Sequence, residues 1–139
     1  MKIKPLHSNF ICPTKGTQQA GAFDLYMPEA GELTATKQFI PLGFAAEVPE
    51  EHVALILPRS GAGAKFSVEL NNTCGVIDSD YRGEWVAALR TKDASSFTWE
   101  AGDRVLQFLI VPVANVQLEV VAELGNTPRN IGGFGSTGR

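Results

Sequence analysis

The chain has 139 residues, 44% hydrophobic and 19% charged, with a net charge of −3. That suffices for one domain with a sizeable core and not for two. A pI near 5.3 and no run of like charge argue against a nucleic-acid binder, which carries a basic patch. No apolar run approaches the roughly 18 residues of a membrane span.

Fourteen glycines and eight prolines point to a folded, turn-rich domain. Cys12 and Cys74 form no CxxC pattern. With no signal-peptide pattern they read as reduced thiols of a cytoplasmic protein, in the host's cytoplasm if it is viral. His7 and His52 lack partners at ligand spacing, so zinc chemistry and a Ser-His-Asp triad are poorly supplied.

Short apolar or alternating runs recur at 38–44, 52–57, 85–89, 105–113 and 117–124, separated by Gly, Pro, Asn or Asp clusters. This pattern predicts an all-β sandwich or barrel. One short helical turn is expected over 60–66, where two glycines limit its length.

Five stretches carry chemistry. In 20–25 (AGAFDL), Asp24 is a lone acid among apolar residues. It needs a cation, a metal or several N–H donors, or else is a structural Asp bonded to nearby backbone. In 58–61 (PRSG), Pro58 stops a strand, Arg59 supplies a forked cation, Ser60 a hydroxyl, and Gly61 lets a ligand approach the backbone. The start of the helical turn is either a phosphate seat or a helix capped by Ser60.

Residues 75–83 (GVIDSDYRG) hold two carboxylates flanking a serine. On a strand Asp78 and Asp80 share a face, where like charges repel unless one is neutralised. The alternative is an Asp-rich turn. In 104–110 (RVLQFLI), Gln107 is the one polar interior position, which marks a buried hydrogen-bond network or a ligand contact. The final stretch, 129–139 (RNIGGFGSTGR), has four glycines, two hydroxyls, two arginines and one aromatic. Such a segment holds no regular element and is either a functionless tail or one that closes over phosphates.

In order and spacing these five stretches resemble the five motifs of the trimeric dUTPases (deoxyuridine 5′-triphosphate nucleotidohydrolases). The resemblance implies a jelly-roll β-barrel over 1–128 and a flexible tail over 129–139 that closes on a neighbouring subunit's site. It also implies a homotrimer with active sites at subunit interfaces. The implied activity is Mg²⁺-dependent cleavage of dUTP to dUMP and pyrophosphate, which limits uracil in DNA and supplies dUMP for dTTP synthesis.

By position, Asp78 becomes the general base, Asp80 a structural support paired with an arginine such as Arg59, and Tyr81 the platform under the deoxyribose. Asn72 and the backbone of Gly75, Val76 and Ile77 read uracil. Arg59, Ser60, Gly61 and Gln107 hold phosphate oxygens, and Asp24 binds Mg²⁺ through water. Arg129 with Phe134, Gly135, Ser136 and Thr137 closes the site, Phe134 over uracil. Asn130 stands where the family usually has Gly, Ala62-Gly63 replaces Leu-Ala, and Cys74 is unusual. A dCTP deaminase of the same fold is expected to lack the glycine-rich tail and to carry a glutamate base. An idle nucleotide-binding module would lack a catalytic group, and none is missing.

Overall fold

The structure, a computed structural model, describes residues 1–93 and 96–133. It is nearly all β. Among the described residues eleven short strands follow in order: β1 (Lys2–Pro5), β2 (Phe23–Tyr26), β3 (Gly31–Leu33), β4 (Gln38–Pro41), β5 (Phe44–Glu47), β6 (His52–Pro58), β7 (Val68–Leu70), β8 (Gly75–Ile77), β9 (Val86–Thr91), β10 (Phe97–Trp99) and β11 (Arg104–Pro112). Between β6 and β7 the expected helical turn forms as five residues of π-helix, Gly61–Lys65.

Alternation places the strands. In β9, Ala87, Leu89 and Thr91 are buried while Val86, Ala88 and Arg90 point outward, the period-2 pattern of a half-buried strand. All pairing is antiparallel, in a four-stranded sheet ordered β2-β11-β6-β8, a three-stranded sheet β4-β9-β7, and the pairs β1-β5 and β10-β3. Among the described residues these sheets are not closed into one continuous barrel. Trp85 is fully buried at the centre, edge-on to Phe108 at 5.2 Å between ring centroids and tilted on Phe44 at 4.9 Å.

Two expected strands differ. The run 38–44 divides into β4 and β5 because Gly43 takes φ +76°, a left-handed conformation that glycine adopts without penalty. Residues 117–124 form no strand. Leu118 is 94% exposed and Leu124 87%, because no neighbouring strand among the described residues pairs with them.

Candidate active site

Asp24 and Gln107 stand directly opposite one another across β2 and β11. Beside them β6 ends at Pro58, whose carbonyl accepts a hydrogen bond from Gln107 Nε2 at 3.1 Å. That bond fixes the amide at the strand end where Arg59 and Ser60 follow. With the small residues Gly16, Ala20, Gly21 and Ala22, these four side chains line an open cleft of about 340 Å³.

Asp24 is only 7% exposed and meets two guanidinium groups. Arg59 Nε lies 2.7 Å from its Oδ1 and Arg104 Nη1 lies 3.1 Å from its Oδ2. Of the readings open for Asp24, the structure therefore shows the cation-paired one. Arg104 reaches it because of a β-bulge. In a regular strand, residues three apart point to opposite faces. Here the register shifts between Arg104 and Leu106, and the extra residue brings Arg104 onto the face that carries Gln107 and Asp24. Two guanidinium charges meet one carboxylate, so the Asp24 cluster carries an excess positive charge at the edge of the cleft, suited to phosphate oxygens.

Ser60 makes no side-chain capping bond, so its exposed hydroxyl is not spent on the helical turn. A Cβ built on Gly61 would meet nothing within 4 Å, which leaves that backbone open to an approaching ligand.

Asp78 lies elsewhere. β8 ends at Ile77 and residues 78–80 form a turn, closed by Tyr81 N donating to Asp78 O at 3.2 Å. The turn reading of this stretch is the one observed; Asp78 and Asp80 do not share a strand face. Arg82 Nη1 donates to Ser79 O at 2.7 Å and to Tyr81 O at 3.1 Å. Arg82 thus braces the turn, while Arg59 pairs with Asp24 rather than with Asp80. The reason is register: Arg59 follows β6 at the end of the sheet where Asp24 sits. Asp78, Tyr81, Val76 and Ile77 line a second cleft of about 160 Å³ together with Glu84 and Val86. Asn72 is exposed on the preceding turn, where its carbonyl accepts from Cys74 N at 2.7 Å.

The two clefts share no lining residue. β6 and β8 are antiparallel, with Ile56 opposite Gly75 and Ala54 opposite Ile77. Continuing that register sets Asp78 beside Val53, seven residues before Ser60. At strand spacing that is about 20 Å. One chain therefore assembles Asp24, Arg59, Ser60 and Gln107, and holds Asp78 and Tyr81 apart from them.

Arg129 is exposed, its Nε donating to Gly132 O at 3.0 Å. Phe134, Gly135, Ser136 and Thr137 lie outside the described residues. A larger cleft of about 460 Å³ lined by His7, Glu29 and Trp99 among others contains none of the expected residues. Sequence reading passed over Arg104, Glu84 and Val86. The first carries a signal, an arginine inside the same stretch as Gln107; the other two do not.

No group of three or more His, Cys, Asp or Glu comes together among the described residues, so no protein cage for a metal is built here. Asp24 still fits a magnesium that keeps its waters, because each carboxylate oxygen accepts one N–H and retains a second lone pair.

An anion-receptive cleft and a separate exposed carboxylate lie on one all-β scaffold, an arrangement suited to a hydrolase of phosphoric anhydrides. The dUTPase family model matches residues 8–138, and the chain belongs to the dUTPase family. It is 38% identical to the deoxyuridine 5′-triphosphate nucleotidohydrolase of Syntrophotalea carbinolica, covering 99% of this chain and 96% of that one. It is 37% identical to the same enzyme of Bordetella avium, covering 100% and 96%. The fold matches a Staphylococcus bacteriophage 80alpha dUTPase mutant with dUpNHpp, at a TM-score of 0.88 and 24% identity over 99% and 98% of the chains. It also matches a mutant dUTPase of the S. aureus phage phi11, described for coordination of a structural Mg(II) ion, at 0.79 and 22% over 88% and 96%. The chain is thus a hydrolase of the dUTPase kind.

Proposed function

We propose that this chain cleaves dUTP to dUMP and pyrophosphate, with each active site completed by a second copy of the chain. The observation that carries this reading is that Asp78 and Ser60 lie beyond opposite ends of the β6-β8 pair, in two clefts that share no lining residue, so that one chain does not by itself hold a phosphate and activate its attacking water. A neighbouring copy's Asp78 turn set against the cleft brings the halves together. Such a contact is head-to-tail, which makes a ring where the rotation closes; the family resemblance puts three copies in it.

Surface chemistry supports the contact. Phe39 is 65% exposed, Val76 57% and Val86 42%. Phe39 pairs across from Ala88, and Pro41 across from Val86, on the outer face of β4-β9. A connected apolar face of this kind is suited to burial against another copy. The extended segment after β11, apolar at Val116, Leu118 and Val120, is further surface for the same use.

In the reaction Asp78 accepts a proton from a water as its oxygen bonds to the α-phosphorus, and the bond from that phosphorus to the α,β-bridging oxygen breaks. Pyrophosphate leaves in line. Ser60, the Gly61 backbone and Gln107 hold the α/β oxygens, while Arg59 and Arg104, set by Asp24, offset charge. Tyr81 lies under the deoxyribose, and Asn72 with the Gly75, Val76 and Ile77 backbone reads uracil. Asp24 would hold Mg²⁺ through a water, and the metal would offset the negative charge of the phosphates. Arg129 and residues 134–137 close the site. The dUpNHpp complex of the phage 80alpha dUTPase supports the ligand class. No helix among the described residues is long and apolar enough to cross a membrane, which accords with work in the cytoplasm.

Pyrophosphate release from dUTP, dCTP, dTTP and UTP, with and without Mg²⁺, tests the proposal. Release from dUTP alone, dependent on Mg²⁺, supports it; equal release from all four sinks it.

A further inference from the structure

Gly83 and the carbonyl of Glu84 hold one end of the Tyr81 ring, and we infer that Gly83 is a positioning residue that sets the sugar selectivity of the site. Tyr81 is 43% exposed. A side chain that open keeps its rotamer only if something fixes it. Its hydroxyl donates to Glu84 O at 3.0 Å, so the ring folds back over its own turn. The ring's hydroxyl end rests where a side chain at 83 would begin. A Cβ on Gly83 would lie 2.4 Å from Tyr81 Oη, 2.6 Å from Cζ and 3.0 Å from Cε2.

Backbone conformation is not what requires glycine here. Among the described residues the glycines with positive φ are Gly43 and Gly102, so alanine at 83 carries no left-handed penalty. What alanine displaces is the ring, whose exposed end moves far more easily than the packed strands. The expected consequence is a moved platform on an unchanged fold, with the Glu84 hydrogen bond lost.

The inference rests on the proposal that Tyr81 lies under the deoxyribose and excludes a 2′-hydroxyl. A rigid ring discriminates one added hydroxyl by steric fit, a ring free to yield much less.

The test measures kcat/KM for dUTP and for UTP in the wild type, Gly83→Ala, Tyr81→Ala and the double variant, with thermal melts of each. Gly83→Ala is expected to melt with the wild type and to lower the dUTP/UTP ratio by about tenfold. Part of that loss should appear as improved KM for UTP, which a general loosening of the fold would not produce. In the Tyr81→Ala background the same substitution should change the ratio no further, because its effect runs through the ring. If Gly83→Ala leaves the ratio intact while Tyr81→Ala lowers it, the inference fails and the platform reading stands. An equal drop in both backgrounds also overturns the inference. A ratio untouched by Tyr81→Ala removes the platform reading and the inference together.

Discussion

Asp78 and Ser60 stand at opposite ends of the β6-β8 pair, because antiparallel register carries the residue after β8 away from the residue after β6. Inactive subunits should therefore repair one another. Mixing Asp78→Asn chains with Ser60→Ala chains after denaturation and refolding is expected to restore activity at roughly a quarter of the sites. Activity no greater than the sum of the two variants would place both groups in one chain's site.

Asp78→Asn alone keeps the shape of the turn and removes the base. Turnover of dUTP should fall by about two orders of magnitude or more. Titration with dUpNHpp should show binding within a few-fold of wild type. Undiminished pyrophosphate release would take Asp78 out of the base role.

Asp24 holds two arginines whose side chains are 34% and 45% exposed. Asp24→Asn leaves those charges facing each other around a largely buried amide, at a cost of about 1–3 kcal/mol. Thermal melts should fall by several degrees and recover partly with added pyrophosphate, which supplies the missing negative charge. A variant as stable as the parent would mean that the arginines are held from elsewhere.

Gly132 is half-buried and Gly133 exposed, and Arg129 Nε bonds within the same segment, to Gly132 O. Deleting residues 132–139 is accordingly expected to abolish most turnover and leave the melting temperature unchanged. Unfolding of the truncated chain, seen by circular dichroism, would instead make the tail part of the scaffold.

Strands with enough residues to show a period were readable from sequence. Runs 52–57 and 105–113 became β6 and β11 almost intact, and Trp85 fell where an apolar run opened. Strands of three or four residues such as β3, β8 and β10 carry too few positions to betray an alternation. The apolar alternation at 117–124 is real in the sequence but lacks a partner within the chain. Partner choice is a tertiary property: Arg59 could be given a carboxylate from sequence, but only the β2-β11-β6 register selects Asp24 over Asp80. Arg104 was hidden by the same logic, since spacing along a strand assigns it to the wrong face. The candidate residues were easier to nominate than to place: Asp78, Ser60 and Gln107 stand out by type, whereas their division between two clefts is set by strand register.

The bulge at Val105 has an evolutionary corollary. One residue there decides whether Arg104 faces Asp24 or turns away from it, while the pairing from Leu106 to Pro112 is indifferent to the difference. A single-codon deletion at this point leaves a strand that still folds and a cleft with one guanidinium fewer. Point substitutions along β11 can drift within packing limits, but its length at that end cannot.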